Sequence, residues 1–279
     1  MVPPQYLQRT RMERRTAGVL IGILAVMCVG LVFSVVYPFT TSEPHAATPP
    51  SEQFTVGDAD AYTATGRIVV DGEVRLAFEG VVTADGAWYQ QVVEPNVTSE
   101  EYQPSPNGSV YRRLTIAGRD RAERLREQIT EDGDRRLHRE ARNGDRVTFV
   151  VERNTPSDTD RVSGTASVFV NSLFVAGYER EESASSAVTV YAPRSRWYDG
   201  QKTYRITGAS GEVYANADTR AVQSANVSWK MTEPAGTFAE YELARLMSDD
   251  PTTHRITFEF DPGNTTLERP SWLGETDSK

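Results

Sequence analysis

The chain has 279 residues with 30 basic and 39 acidic side chains, so its formal net charge at neutral pH is −9. An acidic surface repels nucleic acid and anionic lipid headgroups, and we therefore expect no nucleic-acid partner. Only one cysteine is present, which excludes an intramolecular disulfide framework, so the fold must be held together by a packed core.

The longest apolar stretch, Ala17 to Tyr37, contains 21 consecutive residues without a charge. That length is enough to cross the hydrocarbon core of a bilayer as one helix. Four arginines and one glutamate lie between residues 9 and 15, whereas residues 38–47 carry a single formal charge. Because arginine resists translocation, the sequence predicts a single-pass signal-anchor in the cell membrane with its N-terminus in the cytoplasm.

A cleaved signal peptide is the alternative interpretation of the same stretch. The apolar region of a signal peptide is shorter, about 7 to 15 residues, and ends at a small-residue cleavage site. The residues Val35-Val36-Tyr37 do not form such a site. The sequence therefore favours a retained anchor, which makes the membrane a partner of the chain through residues 17–37.

A linker and a strand-rich domain follow the anchor. Residues 38–53 are rich in Pro, Ser, Thr and Ala without periodic apolar positions, which is typical of a linker. From Phe54 apolar and polar residues alternate, and the turn Asp71-Gly72 joins two such runs. A second turn at residues 84–86 predicts a three-stranded meander. The stretch Glu94 to Gly108, with three prolines and two sequons, predicts a loop.

Further alternating runs follow towards the C-terminus. They include residues 203–207 and 212–215, for which Gly208 to Gly211 predicts a connecting turn, and residues 238–247. In total we predict roughly ten antiparallel strands, and a sheet of that size must curl.

Two stretches depart from the strand pattern. Arg119 to Asp132 fits either a short amphipathic surface helix or an extended charged connection. Val162 to Tyr178 has apolar residues at three- and four-residue steps, which predicts a helix with Ser163 as its candidate N-cap. Because this stretch is apolar on nearly all sides, we expect the helix to be buried on most of its faces, inside the curve of the sheet.

The order of these segments and two C-terminal runs, Tyr191 to Leu246 and Phe258 to Leu273, resemble a group of membrane-anchored exported proteins of halophilic archaea without assigned activity. The predicted shape of that group is similar to the LolA/LppX-like lipoprotein-carrier fold, an unclosed antiparallel β-barrel wrapped over helices. This resemblance implies an apolar pocket between sheet and helix that holds an acyl or isoprenoid chain. The chain departs from the carriers in its own anchor, which prevents free shuttling.

We therefore predict an α+β, mainly antiparallel β fold. It is a curved, unclosed β-barrel of roughly ten strands wrapped over a buried helix, preceded by one transmembrane helix. The predicted segments are a cytoplasmic N-terminus (1–16), the anchor (17–37), a linker (38–53), an extracytoplasmic LolA/LppX-like domain (54–273) and a tail (274–279).

Catalytic motifs are absent from the sequence. It contains no G-x-S-x-G elbow, no H-E-x-x-H helix and no glycine-rich phosphate loop. Three isolated histidines, His45, His138 and His254, offer few members for a zinc site or a triad, although His254 faces inward on the predicted register. We therefore expect a protein that is not an enzyme, without metal or cofactor, and a hydrolase is the least favoured hypothesis.

Two non-enzymatic hypotheses remain. In the first, the exported domain binds a lipid or another apolar ligand between sheet and helix. The residues predicted to line this pocket are Trp88, Phe169, Leu173, Phe174 and Trp229. In the second, the domain is a structural or protein-interaction module of the cell surface that holds no ligand.

Four sequons fit an exported glycoprotein, because N-glycans are attached at Asn-x-Ser/Thr. The predicted acceptors are Asn96, Asn107, Asn226 and Asn264. A further asparagine, Asn154, is excluded because proline occupies the third position.

Overall fold

The computed structural model describes residues 54–156, 161–181, 187–199, 203–232, 243, 246 and 251–274. The predicted N-terminus, anchor and linker lie outside these residues, as does the tail beyond Gly274. Within the described part, no helix is both long enough and apolar enough to span a membrane. The chain divides into two compact units, and the larger one comprises Ala46–Arg196, Ile206–Met231 and Thr252–Lys279.

Thirteen strands and three helices are described, numbered here in chain order. The strands are β1 (Tyr62–Val70), β2 (Glu73–Val82), β3 (Trp88–Glu94), β4 (Val97–Gln103), β5 (Val110–Ala117), β6 (Arg135–Asn143), β7 (Arg146–Arg153), β8 (Gly177–Arg180), β9 (Val188–Arg194), β10 (Arg196–Asp199), β11 (Thr203–Asn216), β12 (Val222–Met231) and β13 (Thr252–Pro262). The helices are α1 (Arg119–Glu131), α2 (Arg161–Leu173) and α3 (Ser271–Gly274).

All of these strands belong to one sheet, whose order is β6-β7-β5-β4-β3-β2-β1-β13-β12-β11-β9-β8, with β10 beside β11. Every pairing along this path is antiparallel. The sheet is unclosed, with β6 and β8 as its edges in the described part of the chain. The predicted class, mainly antiparallel β, is confirmed, but the predicted number of about ten strands is too low.

Tight turns account for the hairpins that the sequence predicts. Asp71 and Gly72 have φ angles of 51° and 82°, the left-handed pair that a two-residue hairpin turn requires. The N–H of Asp71 also donates to the carbonyl oxygen of Thr253 in β13, 2.9 Å away. The predicted turn between β1 and β2 is therefore confirmed.

Two connections predicted from the sequence are wrong. The stretch Glu94 to Gly108 is not a loop throughout, because β4 occupies seven of its fifteen residues and lies in the interior of the sheet between β3 and β5. Gly208 to Gly211 does not join two strands, because β11 runs through it with a bulge between Thr207 and Ser210. Of the predicted strand 238–247, only Leu243 and Leu246 are described, and both are helical.

Both predicted helical stretches contain helices, with different bounds. Of the two alternatives left open for residues 119–132, the helix is observed as α1. Helix α2 begins before Ser163, which is therefore not its N-cap, and it ends before β8 begins at Gly177. It exposes Gly164, Val168 and Asn171. The expectation of burial on most faces is met only in part, because the side with these three residues faces solvent.

Helices α1 and α2 lie on the same side of the sheet, called the inner face below. Directly paired residues point to the same side of a sheet, and one such row connects β7 with β1. The row consists of Phe149, Leu114, Ser99, Val92, Phe78 and Gly66. Ile129 of α1 packs in one apolar cluster with Phe149, and Phe169 of α2 lies against Gly66.

The packing beneath α2 is close. The ring of Phe169 stacks between those of Phe78 and Phe258, with centroid distances of 5.7 and 6.4 Å. A Cβ atom on Gly66 would lie 2.7 Å from the Phe169 ring, and one on Gly80 would lie 2.4 Å from α2. Glycine at these two positions therefore lets the helix approach the strand backbone.

The outer face of the sheet is covered near β4 and β7 by the C-terminal segment. Trp272 and Leu273 of α3 pack with Tyr102 and Val150 in one buried cluster. The hydroxyl of Thr265 donates to the carbonyl oxygen of Val82 at 2.8 Å and fixes the segment to β2. The outer face of β4 is consequently shielded from water.

Candidate functional site

An open groove of about 660 Å³ lies on the inner face of the sheet. Its floor is formed by β3, β4 and β5, and α1 forms one wall. Arg161, the first residue of α2, also lines it. A smaller cavity of about 70 Å³ shares Glu101, Arg112 and Leu125 with the groove and extends towards β6 and β7.

Two neighbouring strands give the groove its charged floor. Register pairs Glu101 of β4 with Arg112 of β5, and Glu100 with Arg113. Because successive side chains of a strand point to opposite faces, the first pair lies on the inner face and the second on the outer face. Each carboxylate therefore meets an arginine on its own side of the sheet.

On the inner face Glu101 is the centre of a hydrogen-bonded network. Its side chain is only 5 % exposed and accepts from Nε2 of Gln90 at 2.9 Å. Nε of Arg112 lies 3.2 Å from one carboxylate oxygen, and Nη1 of Arg161 lies 3.4 Å from the other. Two strands and a helix are thus joined through one buried carboxylate, which would be costly to bury without such partners.

Further hydrogen bonds fix the orientation of this network. Nε of Arg112 also donates to the hydroxyl of Ser99, 3.0 Å away. The hydroxyl of Thr165 in α2 donates to Oε1 of Gln90 at 2.9 Å. Because the amide oxygen of Gln90 accepts from α2, its nitrogen is directed to Glu101, so the network is held in place from both sides.

The groove is positively charged, in contrast to the chain as a whole. Four arginines line it (Arg112, Arg121, Arg124 and Arg161), against two carboxylates, Glu94 and Glu101. Burial lowers the pKa of the Arg112 guanidinium, opposed by Glu101 and reinforced by the positive charges of neighbouring arginines. The local excess of positive charge lies in a protein whose net charge is −9.

Apolar side chains also line the groove. Val92 and Leu114 contribute from the floor, and Leu125 contributes from α1. Leu125 is partly buried against the cluster beneath α1. These apolar side chains are the smaller part of the lining, since nine of its fourteen residues are polar or charged.

The outer-face pair is enclosed instead of open. Glu100 is ion-paired with Arg113 and also accepts from Nε2 of Gln91 at 3.2 Å. The Arg113 guanidinium lies 5.6 Å from the ring centroid of Trp272. Burial beside Glu100 raises the pKa of Tyr89 to about 12. This side of β4 is therefore filled by the protein's own side chains.

The structure places the predicted pocket residues in packed positions. Phe169, Leu173 and Trp229 are buried at 2 % exposure or less, and Trp88 is 4 % exposed. Phe174 is partly buried and stacks on Phe54 with centroids 6.0 Å apart. None of the five lines the groove or the smaller cavity. Ligand contact by these residues stays a prediction.

The sequence does not predict the groove residues, because the stretch that contains β4 lacks a strand pattern. Its sequence, VTSEEYQ, has two adjacent carboxylates and no apolar alternation. A signal was nevertheless present, since Glu-Glu-Tyr at residues 100–102 is mirrored by Tyr-Arg-Arg at residues 111–113. Opposite charges at mirrored positions around a proline-rich turn indicate an antiparallel pair.

The two described histidines do not line the groove, and His45 lies outside the described residues. His138 pairs with Glu152 across β6 and β7, with 2.8 Å between Nε2 and the carboxylate. His254 lies parallel to Trp229 with ring centroids 6.3 Å apart, and its predicted inward direction is confirmed. Burial lowers the pKa of His254, against the attraction of Asp71. In the described ranges no three His, Cys, Asp or Glu residues come together as metal ligands.

All four predicted glycan acceptors are exposed. Asn96 lies between β3 and β4, Asn107 between β4 and β5, and Asn264 after β13. Asn226 lies on the outer face of β12, where it lines a second open groove of about 610 Å³. Exposure makes these positions accessible to a glycosylating enzyme, and glycosylation itself stays a prediction.

Comparison with known proteins gave no match to this chain, neither to a protein-family model nor to a curated protein or a solved structure. The resemblance to exported proteins of halophilic archaea, and to the LolA/LppX-like carriers, therefore stays a prediction.

Proposed function

We propose that this chain is a membrane-tethered extracytoplasmic protein that binds a lipid or another amphipathic ligand in the groove between α1 and strands β3 to β5. The groove itself carries the proposal. Its volume of about 660 Å³ falls within the range of about 300 to 1,000 Å³ of ligand sites. Apolar and charged groups line the same space, as binding of an amphipathic molecule requires.

The predicted anchor and linker support this role. Residues 17–37 would hold the domain at the membrane, and the 16 residues from 38 to 53 would tether it. A linker of that length spans on the order of 20 Å when flexible and about 50 Å when extended. The groove would thus stay within reach of molecules in the membrane.

The predicted resemblance to lipoprotein carriers points the same way. An unclosed antiparallel sheet with two helices, here α1 and α2, on one face agrees with what is expected of the LolA/LppX-like fold. The proposed site differs in one respect from the expected one. It lies beside α1, whereas the sequence predicts a pocket beside α2.

A matched pair of tryptophan substitutions tests the site. Gln128 and Thr130 are both exposed on α1, but only Gln128 lines the groove. We expect Gln128→Trp to fill the groove and reduce binding of a fluorescent fatty acid to the full chain at least about tenfold, whereas Thr130→Trp leaves binding unchanged. Native mass spectrometry of the same samples would show a copurifying lipid only in the wild type and the control.

The second candidate is a structural or protein-interaction module of the cell surface without a ligand. The close packing beneath α2, where Phe169 is fully buried, favours it. No fatty-acid binding and no copurifying lipid in the wild type would refute the ligand-binding proposal and leave this module. A hydrolase is the least supported candidate, because the sequence contains no nucleophile motif.

A further inference from the structure

We infer that the groove recognises a phosphate-like anionic headgroup on its amphipathic ligand. The inference rests on the proposed function and adds the chemical class of the ligand. Four arginines and two carboxylates line the groove, so it carries a formal excess of two positive charges. The planar guanidinium donates two parallel hydrogen bonds to a phosphate or carboxylate, which makes arginine suited to this recognition.

The arginines fall into two groups with different surroundings. Arg112 and Arg161 are held at the floor by Glu101, at 3.2 and 3.4 Å. Arg121 and Arg124 are exposed on α1, at the wall of the groove. One carboxylate therefore orients Arg112 and Arg161. Arg121 and Arg124 lie at the entrance of the groove, where an incoming anion would meet them first.

The charge around Arg112 supports an anionic occupant. Its guanidinium experiences the positive charges of Arg161, Arg135 and Arg153, which together with burial outweigh the attraction of Glu101. An anion bound beside these groups would relieve their mutual repulsion. The smaller cavity, lined by Arg135 and Arg153, extends the same positive region.

The confinement of these arginines to one groove explains how a protein with an acidic surface would select an anion. A net charge of −9 keeps anionic headgroups away from the general surface. The groove is a local exception, and its apolar residues, such as Val92 and Leu114, would receive the chain of the ligand. Selection would therefore depend on the arginines of one site and weaken as salt screens them.

Three probes separate the headgroup from the chain. The full chain in a neutral steroid-based detergent is titrated calorimetrically with dodecyl phosphate, with monododecanoylglycerol and with inorganic phosphate. The first probe has both the anion and the apolar chain, the second has only the chain, and the third has only the anion. We expect dodecyl phosphate to bind at least about tenfold more tightly than either of the others, because it uses both parts of the groove.

Substitutions on α1 provide the matched control. We expect the double variant Arg121→Gln/Arg124→Gln to bind dodecyl phosphate about tenfold more weakly, since two partly screened charge contacts are lost. The control variant Arg119→Gln/Arg126→Gln removes the same charge from the same helix at positions that do not line the groove. Its affinity should change less than about twofold, and neither variant should alter binding of the neutral probe.

The outcomes distinguish this inference from the proposed function. Equal affinities for dodecyl phosphate and the neutral amphiphile would overturn anion recognition while supporting an apolar ligand. Equal affinities for dodecyl phosphate and inorganic phosphate would support anion recognition and refute the apolar part, identifying free phosphate as the ligand class. If none of the three probes binds, both proposals are refuted. Equal losses in the two double variants would place the anion outside the groove.

Discussion

The inner face of the sheet has two halves that are filled in opposite ways. Beneath α2, one ring from β2 and one from β13 stack on Phe169, and glycine replaces a side chain where the helix comes closest. Beside α1, a buried carboxylate and its arginines occupy the floor of an open groove. One continuous sheet therefore supports a close-packed half and a hollow, charged half.

The two halves therefore have different roles: the close-packed half contributes to stability, and the hollow half is suited to binding. Burial of aromatic rings in close contact stabilises a domain by several kcal/mol per residue. A buried ion pair contributes little net stability, because desolvation offsets most of its attraction. The network around Glu101 is consequently better explained by the orientation that it gives to Arg112 and Arg161 than by its contribution to folding.

The largest effect is expected from Phe169→Ala in the close-packed half. The ring is fully buried, and its removal should lower the free energy of unfolding by about 3 to 5 kcal/mol. Denaturant titration of the full chain in detergent, followed by tryptophan fluorescence, measures this change. Val168→Ala is the control, because Val168 is 48 % exposed and should change stability by less than about 0.5 kcal/mol. Similar losses in both variants would contradict a close-packed core beneath α2.

Replacing two different glycines with alanine should change the stability of the protein in opposite directions. Gly66→Ala places a Cβ 2.7 Å from the Phe169 ring, so we expect a loss of about 2 kcal/mol from overpacking. Gly164→Ala, on the exposed side of α2 with no atom within 4 Å of the new Cβ, should raise stability by up to about 1 kcal/mol through helix propensity. The same denaturant titration distinguishes the two. A stabilising Gly66→Ala would show that α2 does not contact β1 closely.

The close-packed half was largely predictable from the sequence, whereas strand β4 of the hollow half was not. Apolar spacing identified α2, and alternation identified β1 and β2, because burial in an apolar core leaves a periodic pattern. Strand β4 left no such pattern, since Glu100 and Glu101 are buried by pairing with arginines from β5. A polar strand of this kind is recognised through its partner, and that partner lies outside its own local sequence.

The burial of α2 and the location of the ligand site are two further features that the local sequence does not determine. Apolar composition predicts a helix buried on most of its faces, but it does not show that Val168 lies on the exposed side, because burial depends on what packs against each side. The predicted ligand contacts, such as Phe169 and Trp229, are apolar residues that fill the core. Composition identifies the residues that are buried, but only the structure shows where an open volume remains between them.

In the hollow half, Glu101→Gln should have a smaller effect than the core substitutions. The amide keeps the shape of the side chain but removes the negative charge beside Arg112 and Arg161, which are 43 % and 36 % exposed. Because water screens both arginines, we expect a loss of about 1 kcal/mol in unfolding free energy. Glu79→Gln, an exposed carboxylate on β2, is the control and should be neutral. A neutral Glu101→Gln would show that the network contributes nothing to stability.

The smallest effect concerns pH. His254 is half-buried beside Trp229, and burial lowers its pKa in the folded state below the ordinary value of about 6.5. The unfolded chain then binds a proton more readily, so stability is fully present above about pH 6.5 and decreases as pH falls towards the folded-state pKa. Denaturant titrations of the wild type and His254→Gln between about pH 7.5 and 5.5 measure this contribution, and the variant should show the flatter profile. If instead the wild type gained stability relative to the variant as pH fell, the attraction of Asp71 would outweigh burial, and His254 would be stabilised by its charge.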